Sequence, residues 1–250
     1  MKRKTKAIVM GLLLASLLLA GCAKTEPDAR QIVDAAIAAH GGDGFANATI
    51  DFDFRGRHYQ SVRNGGEFRY SRAFADSTGE VLDVLDNSGF TRSVNGEIIA
   101  LSATDSSRFA NALNSVIYFA LLPFPLQDAA VQPKKLADET INEQPYHTIE
   151  VTFQQSGGGK DFEDVFIYWF HRERNTMDYL AYKFYTDGGG IRFREAFNSR
   201  VVGGIRIADF HNFKPQDPDL PVQETAAAFQ KNELTKLSEI VLENLSVSKN

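Results

Sequence analysis

Apolar and polar residues alternate along much of the chain after residue 48, and this period of two predicts strands. In the first such segment Ile50, Phe52 and Phe54 share one face, with charged residues between them. Turn signals such as Asn64-Gly65-Gly66 recur about every ten residues. Short strands separated by frequent turns are typical of antiparallel meanders, so we predict a mainly β, α+β fold with about 11 strands.

Two segments have the helical period instead. Residues 28–40 carry an apolar stripe, and Gly41-Gly42 follows as a stop signal. Residues 105–122 carry a second stripe that ends at Pro123, and the next residues, Phe124-Pro125-Leu126, are also apolar. Because so apolar a helix and loop are not normally left in water, we predict that this second helix is a lid on the sheet.

Residues 165–170 read Val-Phe-Ile-Tyr-Trp-Phe and have no polar face. A strand that is apolar on both sides is buried on both sides, so we expect the sheet to be covered on both faces here. Residues 214–223 contain three prolines, which cannot continue a sheet interior, and the segment is predicted to be an edge loop.

The N-terminus has the order of a secretory signal. Four basic residues precede an apolar run from Ala7 to Ala20, and Leu19-Ala20-Gly21-Cys22 then forms a lipobox around the single cysteine of the chain. The apolar run is shorter than the roughly 18 residues of a spanning helix, so a retained transmembrane anchor is the weaker interpretation. Similarity to bacterial lipoproteins implies a diacylglyceryl thioether on Cys22.

This interpretation divides the chain into a signal peptide at 1–21, a lipidated tether at 22–27 and one β domain at 28–250. The membrane is then a partner through the lipid on Cys22. Ala23 is not the aspartate that retains proteobacterial lipoproteins at the inner membrane, so we predict a cell-envelope protein at the outer membrane. The face of that membrane stays open.

Charge argues against nucleic acid as a partner. The whole chain has a net charge of −5, and removal of residues 1–21 leaves 23 basic against 32 acidic residues, a net charge of −9. Short basic pairs such as Arg192 and Arg194 alternate with apolar residues and are interpreted as solvated strand faces.

No strong catalytic or metal motif is present in the sequence. The five histidines lack metal-ligand spacing, and no Gly-x-Ser-x-Gly elbow occurs. Lys183 lies in an aromatic strand, where burial would lower a lysine pKa enough for Schiff-base chemistry, although it also fits a mixed, solvated face. We therefore predict no cofactor, no metal site and no enzymatic activity.

The whole pattern resembles a known family. A lipobox, a first helix ending in His-Gly-Gly, a long meander, a mid-chain helix closing on Leu-Pro-Phe and an aromatic hairpin are similar to an uncharacterised outer-membrane lipoprotein family of Bacteroidetes. Its apparent wider relatives are the lipoprotein carriers LolA and LolB. The resemblance implies a strongly curved antiparallel sheet, a half-barrel, with an apolar concave face covered by helices, and it implies no catalytic residues.

Three functions follow as hypotheses. The first is an envelope lipoprotein that binds or carries a lipid or other hydrophobic ligand between the sheet and the lid. The second is a structural or partner-binding lipoprotein with a filled core and an unknown protein partner, and the third is an enzyme using Lys183. For the first, the sequence suggests a set of aromatic and aliphatic pocket residues. These are Phe52, Phe54, Phe68, Tyr70, Phe119, Ile167 and Trp169.

Overall fold

The computed structural model describes residues 26–156 and 162–250. Cys22, the signal peptide and most of the tether lie outside these residues, as does the glycine loop at 157–159. The three α-helices among the described residues are α1 (Ala29–His40), α2 (Ala103–Ala120) and α3 (Thr225–Gln230). None of these helices has the length and apolar content needed to span a membrane.

The first sheet has seven antiparallel strands in the order β15-β1-β2-β3-β4-β5-β6. It begins as the predicted meander, in which each strand pairs with the next one along the chain. Its strands are β1 (Ala48–Phe54), β2 (Arg57–Asn64), β3 (Glu67–Asp76), β4 (Gly79–Asp86), β5 (Gly89–Val94), β6 (Glu97–Ile98) and β15 (Glu243–Lys249).

The second sheet has eight antiparallel strands in the order β14-β13-β12-β11-β10-β9-β7, and β8 also pairs with β9. Its strands are β7 (Val131–Lys135), β8 (Glu139–Ile141), β9 (Gln144–Phe153), β10 (Val165–His171), β11 (Met177–Phe184), β12 (Gly190–Val202), β13 (Ile205–Pro215) and β14 (Leu234–Ile240).

The prediction of a mainly β, antiparallel fold with a few helices is confirmed. The finer prediction, one sheet of about 11 strands, is not, because the described residues form 15 strands in two sheets. The chain leaves the second sheet after β14 and joins the first sheet at β15. Leu242 is buried, and its amide donates to Asp209 Oδ1 at 3.0 Å, so this link is anchored between β14 and β15.

The main core lies between the inner faces of the two sheets and includes α1 and part of α2. The helix α1 begins with a capping box, in which the Asp28 side chain accepts from the Gln31 amide while the Gln31 side chain accepts from the Asp28 amide. Its buried face contains Ile32, Val33 and Ala36. The first predicted helix is therefore confirmed, and α2 also forms close to the predicted bounds.

A second core lies on the outer face of the second sheet. There α3 and the turn before it, Val222–Glu224, cover Trp169, Phe193 and their neighbours. Strand β10 is buried along almost its whole length because a core lies on each side of it, as its lack of a polar face predicted. The prolines of residues 214–223 end β13 at Pro215, and the following chain does not remain an edge loop, because Val222 packs onto the sheet.

Candidate functional site

A cavity of about 740 Å³ lies between the two sheets, beside the C-terminal half of α2. The wall on one side comes from the β2–β3 hairpin, and the wall opposite comes from β10, β11 and β12. The segment 121–131 closes a further side, and Arg30 of α1 fixes it by donating to the carbonyl oxygens of Leu126 at 2.9 Å and Val131 at 3.3 Å. The β2–β3 hairpin, strands β10–β12, α2 and the segment 121–131 therefore border one space.

Aromatic rings form the apolar wall of this cavity. The ring of Phe119 from α2 lies 5.2 Å from that of Tyr182 on β11, and Tyr182 stacks on Phe166 at 5.4 Å. Phe153 meets Phe166 edge-on at 5.7 Å. Polar side chains at 111, 114, 115 and 127 also border the cavity. The result is an aromatic space with polar groups along part of its border.

Three of the predicted pocket residues line the cavity, namely Phe68, Tyr70 and Phe119. Phe52 and Phe54 do not line it. They pair with Tyr59 and Arg57 at the far end of the β1–β2 hairpin, whereas the cavity lies near the β2–β3 turn. Phe52 is fully buried and stacks on Tyr59 at 5.5 Å, so it belongs to the packed core.

The predicted placement of Ile167 and Trp169 in the cavity needs correction. Successive residues of a strand point to opposite faces, and Phe166 and Tyr168 take the inner face of β10. Ile167 and Trp169 therefore point outward into the second core. Trp169 is fully buried there, and its indole Nε1 donates to Glu139 Oε1 at 3.2 Å.

Three arginines that were not among the predicted pocket residues also line the cavity: Arg63, Arg192 and Arg194. Arg194 is only 8 % exposed, which corrects the interpretation of this position as a solvated strand face. It lies on β12, an interior strand of the sheet, and it points toward α2. Apolar and basic residues alternate from Ile191 to Arg194. This alternation indicates a strand with two different faces, but it does not show which face is exposed to solvent.

The guanidinium of Arg194 is held mainly by aromatic groups. Its Nη2 donates to the Tyr182 hydroxyl at 3.0 Å, and its Cζ lies 4.0 Å from the centre of the Phe119 ring. Its Nε has no hydrogen-bond partner among the described residues. Burial lowers the pKa of Arg194 from its ordinary value.

Other charged groups border the same space. Arg63 donates to the Tyr70 hydroxyl, and its Cζ lies 5.2 Å from the Phe124 ring centre. Two carboxylates, those of Asp128 and Asp164, also line the cavity, and Asp164 is buried. Three arginines thus face two aspartates in a chain whose net charge is −5.

A second group of titratable residues lies where the start of the described chain meets β9. Ligand atoms of Glu26, Asp138 and His147 lie within 4.8 Å of one another. Two cations already approach them, with Lys135 Nζ 3.2 Å from Glu26 and Arg172 Nη1 3.4 Å from Asp138. These contacts favour an ion-pair network over a metal site.

Lys183, the candidate for Schiff-base chemistry, is exposed on β11. Its Nζ lies 5.5 Å from the centre of the Tyr185 ring. The burial that would activate a lysine is absent at this residue.

Comparisons with known proteins add a family and three distant structures. The model of a family described as "Family of unknown function (DUF6503)" matches residues 6–243. No curated protein matches the chain.

The similar structures are all of low identity. A DUF1329 family protein from Desulfovibrio piger is 12% identical with a TM-score of 0.47, covering 88% of this chain and 93% of its own. A putative outer membrane lipoprotein-sorting protein domain from Vibrio parahaemolyticus is 10% identical with a TM-score of 0.46, covering 87% and 91%. Mycobacterium tuberculosis lipoprotein LppX is 10% identical with a TM-score of 0.29, covering 63% and 89%. At these values none of them carries an argument about function.

Proposed function

The chain belongs to the DUF6503 family, a family of unknown function, and from the residues of this chain we propose that it binds a lipid or another hydrophobic ligand in the cavity between its sheets. The role is one of binding or carrying, without a catalytic step. The observation that supports the proposal is the cavity of about 740 Å³ with its wall of aromatic rings. Ligand pockets commonly have volumes of about 300–1,000 Å³ and are mostly apolar with a few placed polar groups.

The cavity also bears on the alternative of a filled core. Protein interiors are close-packed, and voids larger than a water molecule are few. Here the aromatic residues Phe119, Phe153 and Phe166 leave a large space beside them. An apolar ligand in that space would restore the dispersion contacts that these side chains lack.

The proposal includes a place in the cell. The lipobox at residues 19–22 supports lipidation of Cys22, which would hold the protein at a membrane of the cell envelope, with the outer membrane as the favoured site. Cys22→Ser should release the protein from the membrane fraction. Normal processing of this variant, with retention in membranes after a carbonate wash, would contradict lipid anchoring at Cys22.

Ligand binding is tested by quenching of tryptophan fluorescence with brominated fatty acids. Trp169 lies on the outer face of its sheet, so it serves as an internal reference and should show little saturable quenching. Phe68→Trp places a second tryptophan in the cavity wall. We expect saturable additional quenching in this variant at micromolar ligand concentrations.

Two outcomes would contradict the proposal. One is the absence of saturable quenching in the Phe68→Trp protein. The other is equal quenching in the variant and the unmodified protein, since that would place the fatty acid away from the cavity. In either case the filled-core, partner-binding alternative would be favoured.

A further inference from the structure

Arg194 holds a buried positive charge whose hydrogen-bonding capacity is incompletely used. A guanidinium has five N–H donors and no acceptor. Arg194 gives one hydrogen bond to Tyr182, while its buried Nε–H has no partner and no carboxylate forms an ion pair with it among the described residues. Buried charges are normally paired, because removing an ion from water costs several kcal/mol.

Arg194 itself borders the cavity. Arg194 lines the cavity wall beside Phe119, and Arg192 lines the same wall two residues earlier on β12. Arg63 faces the cavity from the β2–β3 hairpin, and its buried Nε–H also has no hydrogen-bond partner within residues 26–156 and 162–250. Guanidinium groups from both sheets therefore border one space, and two of them have a free donor.

The surrounding charges indicate the sign of the missing partner. Among the described lining residues, Asp128 and Asp164 supply two negative charges, against three positive charges from the arginines. Water satisfies donors of this kind but does not neutralise the surplus charge. A carboxylate or phosphate group does both, because its oxygen atoms match the fork of a guanidinium.

We propose that the ligand of this cavity is an anionic amphiphile, with a carboxylate or phosphate headgroup bound by Arg194 and an apolar chain lying against Phe119, Phe153 and Phe166. This inference rests on the proposed function, since it names the class of ligand for the same cavity. Arg192 and Arg63 add to the positive field around the headgroup. The aromatic wall holds the chain.

Isothermal calorimetry with matched ligands tests this assignment. The probes are dodecanoate, dodecyl phosphate and the neutral monododecanoylglycerol, all used below their micelle concentrations. We expect the two anionic probes to bind the unmodified protein at least about tenfold more tightly than the neutral one, the size of one hydrogen bond to a charged group.

Variants then assign the preference to Arg194. Arg194→Gln should remove the difference between anionic and neutral probes while leaving the affinity for the neutral probe within about twofold. Arg108→Gln, which removes an exposed arginine from α2, is the matched control and should retain the difference. If circular dichroism shows that Arg194→Gln is unfolded, Arg63→Gln repeats the test from the partly buried arginine of the opposite wall.

The outcomes separate the two proposals. Equal affinity for anionic and neutral probes in the unmodified protein, or an unchanged preference in the folded Arg194→Gln protein, overturns the headgroup assignment and leaves ligand binding standing. Failure of all three probes to bind overturns the proposed function itself. Binding of inorganic phosphate or acetate as tightly as the amphiphiles would assign the arginines to a free anion and would also overturn the inference.

Discussion

Two arginines, the part-buried Arg92 and the buried Arg194, pack against phenylalanine rings of the same helix, α2, and their surroundings differ. Near the start of the helix, Arg92 lies with its Cζ 3.4 Å from the centre of the Phe109 ring. Near its end, Arg194 lies 4.0 Å from the Phe119 ring. The first arginine has a carboxylate from its own sheet, and the second has none among the described residues.

In the first region, around Arg92, the positive charges have a carboxylate partner. Asp83 on β4 is fully buried and accepts from Arg72 Nε and Arg92 Nη2, each at 2.9 Å. Both arginines come from neighbouring strands, and Arg72 is the direct cross-strand partner of Asp83. One carboxylate therefore compensates the buried Arg72 and the part-buried Arg92 beneath the N-terminal half of α2.

The second region lacks such a group, and a cavity lies beside it. Phe119 and Tyr182 provide contact surfaces for Arg194 but no full negative charge. The comparison suggests that α2 is fixed at one end by an internal ion cluster, while its other end borders the space for a ligand. Three changes test this difference, from the largest expected effect to the smallest.

Removal of Asp83 should have the largest effect. Asp83→Ala leaves Arg72 and Arg92 buried without a counter-charge, and breaking a buried pair in this way costs about 3–5 kcal/mol. Urea unfolding should report a loss of this size in the free energy of unfolding. Arg108→Gln, which breaks an exposed ion pair, is the control and should change the free energy little, and a loss below about 1 kcal/mol in Asp83→Ala would contradict the account.

Removal of the Arg194 charge should act in the opposite direction. Arg194→Met deletes a buried cation without stranding a carboxylate partner, and replacement of buried charge by an apolar side chain is often neutral or stabilising. The ligand-free protein should gain about 1–2 kcal/mol of stability in the same urea experiment. A loss as large as that of Asp83→Ala would show that Arg194 serves the fold and not a ligand.

Loss of the Phe119 ring should have the smallest of these effects, measured as ligand affinity. Phe119→Ala removes the ring that lies over Arg194 and part of the apolar wall, so the affinity for dodecanoate should fall about three- to tenfold. Phe109→Ala removes the corresponding ring over Arg92 and serves as the control, with unchanged affinity. Equal losses of dodecanoate affinity in the two variants would contradict the proposed difference between the two ends of α2.

Local pattern predicted much of the fold. The helical stripe at 28–40 became α1, and the alternation at 50–54 became β1, because both patterns reflect contacts within a few residues. The uniformly apolar run at 165–170 correctly predicted a strand covered on both faces. The change of sheet at Leu242 was missed, since it depends on a hydrogen bond to the distant Asp209.

The cavity was harder to predict for a physical reason. Successive residues of β10 point to opposite faces, but both faces are apolar, so the sequence does not say which face meets α2. Trp169 was therefore placed in the cavity, although Phe166 and Tyr168 take that face. Arg194 was assigned to solvent because charged side chains are seldom buried. Its burial becomes visible only when β12 is placed inside the second sheet.

Native mass spectrometry tests the central claim most directly, with Cys22→Ser introduced into every protein compared so that each is released from membranes and purified without detergent. The account predicts one bound anionic amphiphile per protein molecule. Gly66→Trp is the cavity-blocking comparison, because Gly66 lines the cavity and a side chain there meets open space. This variant should carry no amphiphile, whereas a protein with Gly66 intact but without any bound amphiphile, or an equal load on both proteins, would contradict the account.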